Sequence, residues 1–424
     1  MAKSKKKKKA APSIAKRLEI TKSYFDRYSA VARKILQVLD LDPALFDRFT
    51  KRQKTYMMLL KSELPRVKVR PGDSIPRHYI KKVQQDVYDF IKIYPVNDND
   101  ELNLSFMDLL TYGISFTFYA MLKDKTDGEV ENKEIYHQIA EKADQAFNGF
   151  ENNIMMVMWQ YMNFVLSGMS KLNFRVYGFE WHWENNYSSY NTGVSIYITA
   201  TVPRMIHFVY NDRPRPAYQA ICGQYLTGEP KAITIPYNQI IEDSNQTHPL
   251  EVYIQNHAFT RIKERVDVLS AALRTACLNS SLLDGNTLTL NNGQCVLKMV
   301  EKSTGTLGYL PFTIIKDKLF VLTFLPICSQ NAPEGKKLQE ILGISRKETE
   351  YLGMDKLSFF MDTDFEAIPR LKEAVIESGL WHLTKLNPPD SYQPQHHMTT
   401  ATLAHFFEKE HTPDEVLREI EEKY

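Results

Sequence analysis

"NHAFTRIKERVDVLSAAL", residues 256–273, places His257, Arg261, Glu264 and Arg265 within nine residues. Ala258, Ile262, Val266, Leu269 and Leu273 recur at three- and four-residue spacing, the signature of one amphipathic helix. At 3.6 residues per turn His257, Arg261 and Glu264 fall within about 60° of one another, with Arg265 on their flank. The apolar stripe is centred roughly 100° away. Such a helix lays its apolar stripe on a sheet and tilts the His/Arg stripe toward an edge, where a cleft forms.

The residues downstream of the helix supply such a sheet. "TLTLNN", "QCVLKMVEK", "LGYLPFTIIKD" and "KLFVLTFLPI" read as short strands separated by turn residues, Asn291-Asn292-Gly293 and Lys316-Asp317-Lys318 among them. Residues 245–330 are therefore expected to form an α+β module of one helix and an antiparallel meander. Upstream, the period is helical from Ile14 to Met169. Tyr24, Tyr28, Val31 and Ile35 share one face, as do Tyr79, Val83, Val87 and Ile91, and Asp42-Pro43 reads as a helix start. This predicts an all-helical domain over 13–170. From Ser170 the pattern alternates, predicting a small β-rich region over 171–244. Past Gly335 helical signals return, so 331–424 is expected to be helical, its last helix opening on Thr412, Pro413 and Glu415. The expected class is α+β multidomain.

A chain of 424 residues exceeds one ordinary core, and 43% hydrophobic with 25% charged residues is a globular composition. Cys222, Cys277, Cys295 and Cys328 form no zinc spacing and read as reduced core residues of a cytoplasmic protein. The basic start continues into charged residues, unlike a secretion signal. The apolar stretches 105–122 and 153–169 are interrupted by polar groups, so no membrane span is expected. The net charge of +2 carries no global preference for nucleic acid. Lys5, Lys6, Lys7, Lys8 and Lys9, however, lie in an expected disordered tail, residues 1–12, that reads either as a phosphate-binding arm or as a solubilising one.

The helix carries the chemistry of metal-free RNA cleavage. An imidazole at His257 can take or give the proton of a ribose hydroxyl. Guanidinium groups at Arg261 and Arg265 can hold the scissile phosphate and its developing charge. Thr323 or Tyr309, from the strands beyond, can add a hydrogen bond. Arg and Glu at such spacings are also what a solvated helix face shows without any catalytic reason. Three weaker constellations compete. In "FEWHWE", Glu180, His182 and Glu184 share a strand face and, with His207, could hold a divalent ion. Arg213 and Arg215, beside Tyr210 and Tyr218, combine the basic and aromatic residues that grip single-stranded nucleic acid. His396, His397 and His405 are grouped near the end of the chain. Walker, GxSxG, GxGxxG and HExxH patterns are missing from the sequence.

The run "HAFTRIKERVD" resembles the His-Ala-x-x-Arg-x-x-Glu-Arg start of small bacterial domains in the barnase/colicin/RelE-like ribonuclease superfamily, in which such a helix precedes a meander ending in a strand like "KLFVLTFL". The resemblance covers residues 248–328. It implies a ribonuclease-like module of bacterial or phage type, with His257, Arg261, Glu264, Arg265 and Thr323 as its catalytic positions, RNA as partner and no cofactor. The alternative is a toxin-unlike, non-enzymatic interaction or structural protein. In it the module is a scaffold, and the helical domain binds a protein partner or a second copy.

Overall fold

The computed structural model describes residues 14–59, 61–96, 102–186, 191–223, 228–241, 246–290, 293–389, 392–394 and 398–408. The lysine tail, His396, His397 and the helix expected at Thr412 lie outside them. The fold is α+β, as the alternation of periods indicates. Two compact units divide the chain: residues 1–160 with 180–198, and residues 161–179 with 199–424.

The first unit holds α1 (Ile14–Val38), α2 (Lys51–Leu59), β1 (Lys61–Val69), α3 (Arg77–Ile93), α4 (Phe106–Asp108), α5 (Ile114–Asp124) and the larger part of α6 (Lys133–Met169). It also takes in most of the hairpin of β2 (Val176–Asn186) and β3 (Asn191–Thr201). The two helical stripes are buried as their spacing requires: Tyr28, Val31 and Ile35 on α1, and Val83, Val87 and Ile91 on α3. Asp42 accepts from the Ala44 N–H at 2.8 Å and caps a short 3-10 turn, Pro43–Arg48, rather than a long helix. The expectation of an all-helical 13–170 needs correction at β1, which pairs in parallel with β3, Val67 opposite Ile196 and Val69 opposite Ile198. The physical reason is long-range. The Gln84 side chain on α3 accepts from the Val67 N–H at 2.7 Å and donates to the Pro65 carbonyl at 3.0 Å, closing the strand's outer edge. Among the described residues no helix is long and apolar enough to cross a membrane.

The second unit is built on one large sheet. Its strands are β4 (Met205–Tyr210), β5 (Arg213–Gln219), β6 (Ile221–Gly223), β7 (Pro230–Ala232), β8 (Thr234–Pro236), β9 (Pro249–Gln255), β10 (Thr287–Thr289), β11 (Cys295–Glu301), β12 (Gly305–Ile315), β13 (Lys318–Val321) and β14 (Leu325–Pro326). The sheet order is β10-β11-β12-β13-β9-β5-β4, with β14 on β12 and β8 on β9, while β6 and β7 pair apart. The meander β10 to β13 is the one the sequence outlines. Two features differ from expectation. A strand, β9, precedes the helix and lies parallel to β13, with Val252 opposite Leu319 and Ile254 opposite Val321. And β5 joins β9, so the segments expected as separate regions 171–244 and 245–330 share a sheet. β9 is buried at Leu250, Val252, Tyr253 and Ile254, the near-continuous apolar run of a central strand covered on both sides.

The helices of this unit are α7 (Tyr237–Ile240), α8 (Asn256–Arg265), α9 (Ala271–Asp284), α10 (Pro333–Leu342), α11 (Arg346–Tyr351), α12 (Leu357–Asp362), α13 (Pro369–Glu377) and α14 (Thr400–Glu408). The single helix expected over 256–273 is two. α8 stops at Arg265, and Ser270 caps α9 by accepting from the Leu273 N–H at 3.2 Å. From α9, Arg274 donates to the Val266 and Leu269 carbonyls in the break between the two helices. The C-terminal helices share the module's core instead of forming their own: Leu338, Phe359, Leu371 and Leu403 cluster with Ile254, Ile262 and Leu310.

Candidate functional site

α8 buries Ala258 and Ile262 in the core, and Val266 and Leu269 continue that burial through the break. The opposite face keeps His257 exposed and Arg261 and Glu264 accessible, with the Arg261 guanidinium 3.3 Å from the Glu264 carboxylate. The polar stripe is thus oriented by the apolar one, as the residue spacing predicts.

β13 ends at Val321, so Thr323 sits in the connection to β14, not within a strand that continues to Ile327. The turn folds the chain back over β12, where Gly308 lies opposite Pro326. A Cβ at Gly308 would collide with the Leu325 carbonyl and the Phe324 ring, so only glycine permits this approach. α10 presses on the next turn in the same way, through Gly335 against the Cys328–Ser329 backbone.

Beside these approaches lies an open cavity of about 180 Å³. His257, Arg261, Arg265 and Thr323 line it, together with Gln330, Asn331, Gln339, Arg346, Glu350 and Asp355. Four of the five positions expected to act together therefore line one cavity. Glu264 does not line it; it stands at the rim as the partner of Arg261.

The charges divide by burial. Arg265 forms an ion pair with Asp355, their side chains 17% and 9% exposed. Burial raises the Asp355 carboxyl above the usual range, more than the neighbouring Arg265 lowers it. Arg346 donates to Glu350 at 2.8 Å on the open side. That hydrogen bond holds the Glu350 carboxyl below its ordinary range, with the positive fields of Arg346, Arg265 and Arg261 adding to it. One carboxylate thus senses all three guanidiniums.

Beyond the cavity the other candidates fare differently. Tyr309 is buried and its hydroxyl donates to Glu334 at 2.9 Å, so it is not free to serve a ligand. Arg213 and Arg215 stand on β5, paired with Tyr210 and Phe208 of β4. Neither lines the His257 cavity. Glu180 is held by Arg70 at 3.0 Å, His182 is 3.4 Å from Glu180, and His207 belongs to the other unit. Among the described residues no three His, Cys, Asp or Glu side chains gather as a metal would require. His405 is exposed on α14. Arg346, Glu350 and Asp355 are additions to the sequence reading, because an aspartate 90 positions after Arg265 carries no local sequence signal. No family model, curated protein or solved structure matches the chain.

Proposed function

We propose that the chain binds RNA at the His257 cavity and cleaves it by a route that needs no metal. What supports this reading is one observation: His257, Arg261, Arg265 and Thr323 line a single open cavity. At about 180 Å³ it is smaller than the roughly 300 Å³ at which sites for drug-sized ligands begin. One phosphate and its ribose enter, and the rest of a single strand runs over the rim.

His257 takes the proton of the ribose 2′-hydroxyl as that oxygen attacks phosphorus. The bond from phosphorus to the 5′-oxygen breaks, and the departing oxygen collects a proton from the imidazolium or from water. Products are a 2′,3′-cyclic phosphate and a 5′-hydroxyl. Arg261 and Arg265 stabilise the charge on the non-bridging oxygens, and Thr323 contributes a hydroxyl.

A second reading has its own supporting observation. Arg261, Arg265 and Arg346 each already have a carboxylate partner, so the cavity is electrostatically satisfied without a ligand. In that reading the module is a scaffold, and the helical unit binds a protein partner or a second copy. Expression of the wild type beside the His257→Ala/Arg261→Ala double variant separates the two. Growth arrest and RNA degradation by the wild type alone is expected; inert behaviour of both proteins removes the enzyme.

A further inference from the structure

Asp355 differs from the acids paired with the other two arginines. Glu264 and Glu350 are half exposed and can release their arginines to solvent. Asp355 cannot. Met354 and Leu357, close on either side of it, are fully buried, and Asp267 holds the adjoining backbone by accepting from the Ser358 N–H at 3.0 Å and its hydroxyl at 2.6 Å. Only one Asp355 oxygen, Oδ2, meets Arg265; Oδ1 is buried, and among the described residues no other residue donates to it. A buried carboxylate half satisfied in this way is a poor device for stability, and a buried polar atom left unpaired calls for another reason.

That reason is geometric. A guanidinium carries five N–H donors in a rigid fork, and a carboxylate engaging one side of it fixes the direction of the rest. We propose that Asp355 is a positioning residue: it holds Arg265 so that the remaining donors face a phosphate in the cavity. The segment after residue 330 then belongs to the site, beyond the limits of the module. This rests on reading the cavity as a phosphate site.

The charge of Asp355 makes the proposal sharp, because two explanations predict opposite signs. If the carboxylate acted only through its field, its removal would strengthen anion binding. If it positions Arg265, its removal weakens binding. The full chain is titrated with inorganic pyrophosphate and, separately, with a labelled single-stranded uridine oligonucleotide, with thermal unfolding checked for every variant. Asp355→Asn is expected to weaken both probes about tenfold, the size of one charged hydrogen bond. Arg265→Lys, which keeps the charge but loses the fork, is expected to do the same, and combining the two to add little.

Unchanged or tighter pyrophosphate binding by Asp355→Asn overturns the proposal, as does an equal loss in the Arg265→Lys background. Where Asp355→Asn fails to fold, Asp355→Glu decides, since it keeps the charge and shifts the guanidinium by one methylene: weaker binding supports positioning and unchanged binding overturns it. Pyrophosphate bound in an Asp355-dependent way with no RNA binding removes the RNA reading and leaves the positioning role standing. Failure of both probes on the wild type removes both.

Discussion

Arg265 and Asp355 show how much a single buried partner decides. Truncating one member of such a pair leaves an uncompensated charge in the interior, at a cost of about 3–5 kcal/mol, whereas apolar replacement of both is often neutral. Arg265→Ala is therefore expected to lower unfolding stability far more than the Arg265→Leu/Asp355→Leu double variant. The deficit also depends on pH. The folded Asp355 carboxyl already ionises at higher pH than the unfolded one, so stability is lost as pH rises through its folded value. Without Arg265 that value rises further, and the deficit grows toward neutral pH and shrinks in acid. Denaturant unfolding at pH 5 and pH 7 measures it, and a deficit independent of pH would contradict this assignment. The thiols obey the same rule of burial. Burial pushes Cys222 up to about 11 and Cys277 up to about 12, and raises fully enclosed Cys328 as well. Thiolate is the reactive form, so an aromatic disulfide reagent at pH 8 is expected to label these three much more slowly than in denaturant, the buried Cys277 and Cys328 most slowly. Rapid labelling of Cys277 in the native protein would refute its enclosure.

At the level of elements, the legible parts are those whose pattern and partners are local. The stripes of α1, α3 and α8 and the meander β10 to β13 follow from spacing and turn residues alone. The break after Arg265 does not. Ile262, Val266, Leu269 and Leu273 continue a helical period straight across it, and what ends α8 is Arg274 capturing carbonyls and Asp267 bonding Ser358, 91 residues away. Ser270 is the one available signal, a residue suited to an N-cap in the middle of the run. β1 is hidden for a similar reason, since its edge is closed by a glutamine from α3. The cavity divides along the same line: its α8 wall is readable from residue spacing, while Arg346, Glu350 and Asp355 arrive by tertiary packing. Gly335 tests that packing. Within a helix, Gly→Ala ordinarily stabilises by about 0.5–1 kcal/mol. Here the added Cβ meets the Cys328–Ser329 backbone, which has no flexible end to move aside. Gly335→Ala is thus expected to lower the melting temperature and to speed hydrogen exchange in α10 and the 328–331 turn. A raised melting temperature would mean that α10 does not press on the cavity floor.

For the whole molecule, the question is which charges an RNA strand would use. The chain carries a net charge of +2, and residues 1–12 contain six lysines and no acid, so their deletion takes the net charge to −4. All residues of the cavity belong to the second unit, and two of its three arginines lie on a partly exposed face where their carboxylates can be exchanged for phosphate. Those contacts are few. Each phosphate neutralised on a single strand contributes about 0.7 to the slope of log affinity against log salt. The single phosphate seated in the cavity then gives a slope of about 0.7, and a lysine arm that joins in adds up to about four. Deleting residues 1–12 is accordingly expected to flatten the salt dependence of RNA binding while leaving cleavage at saturating RNA unchanged, because no lysine of the arm belongs to the proton-transfer or guanidinium groups. Arg261→Ala should suppress cleavage while changing the slope by at most about 0.7. Fluorescence anisotropy between low and moderate salt reads both slopes. If deletion leaves the slope unaltered, the lysines serve solubility and the cavity rim carries the strand by itself.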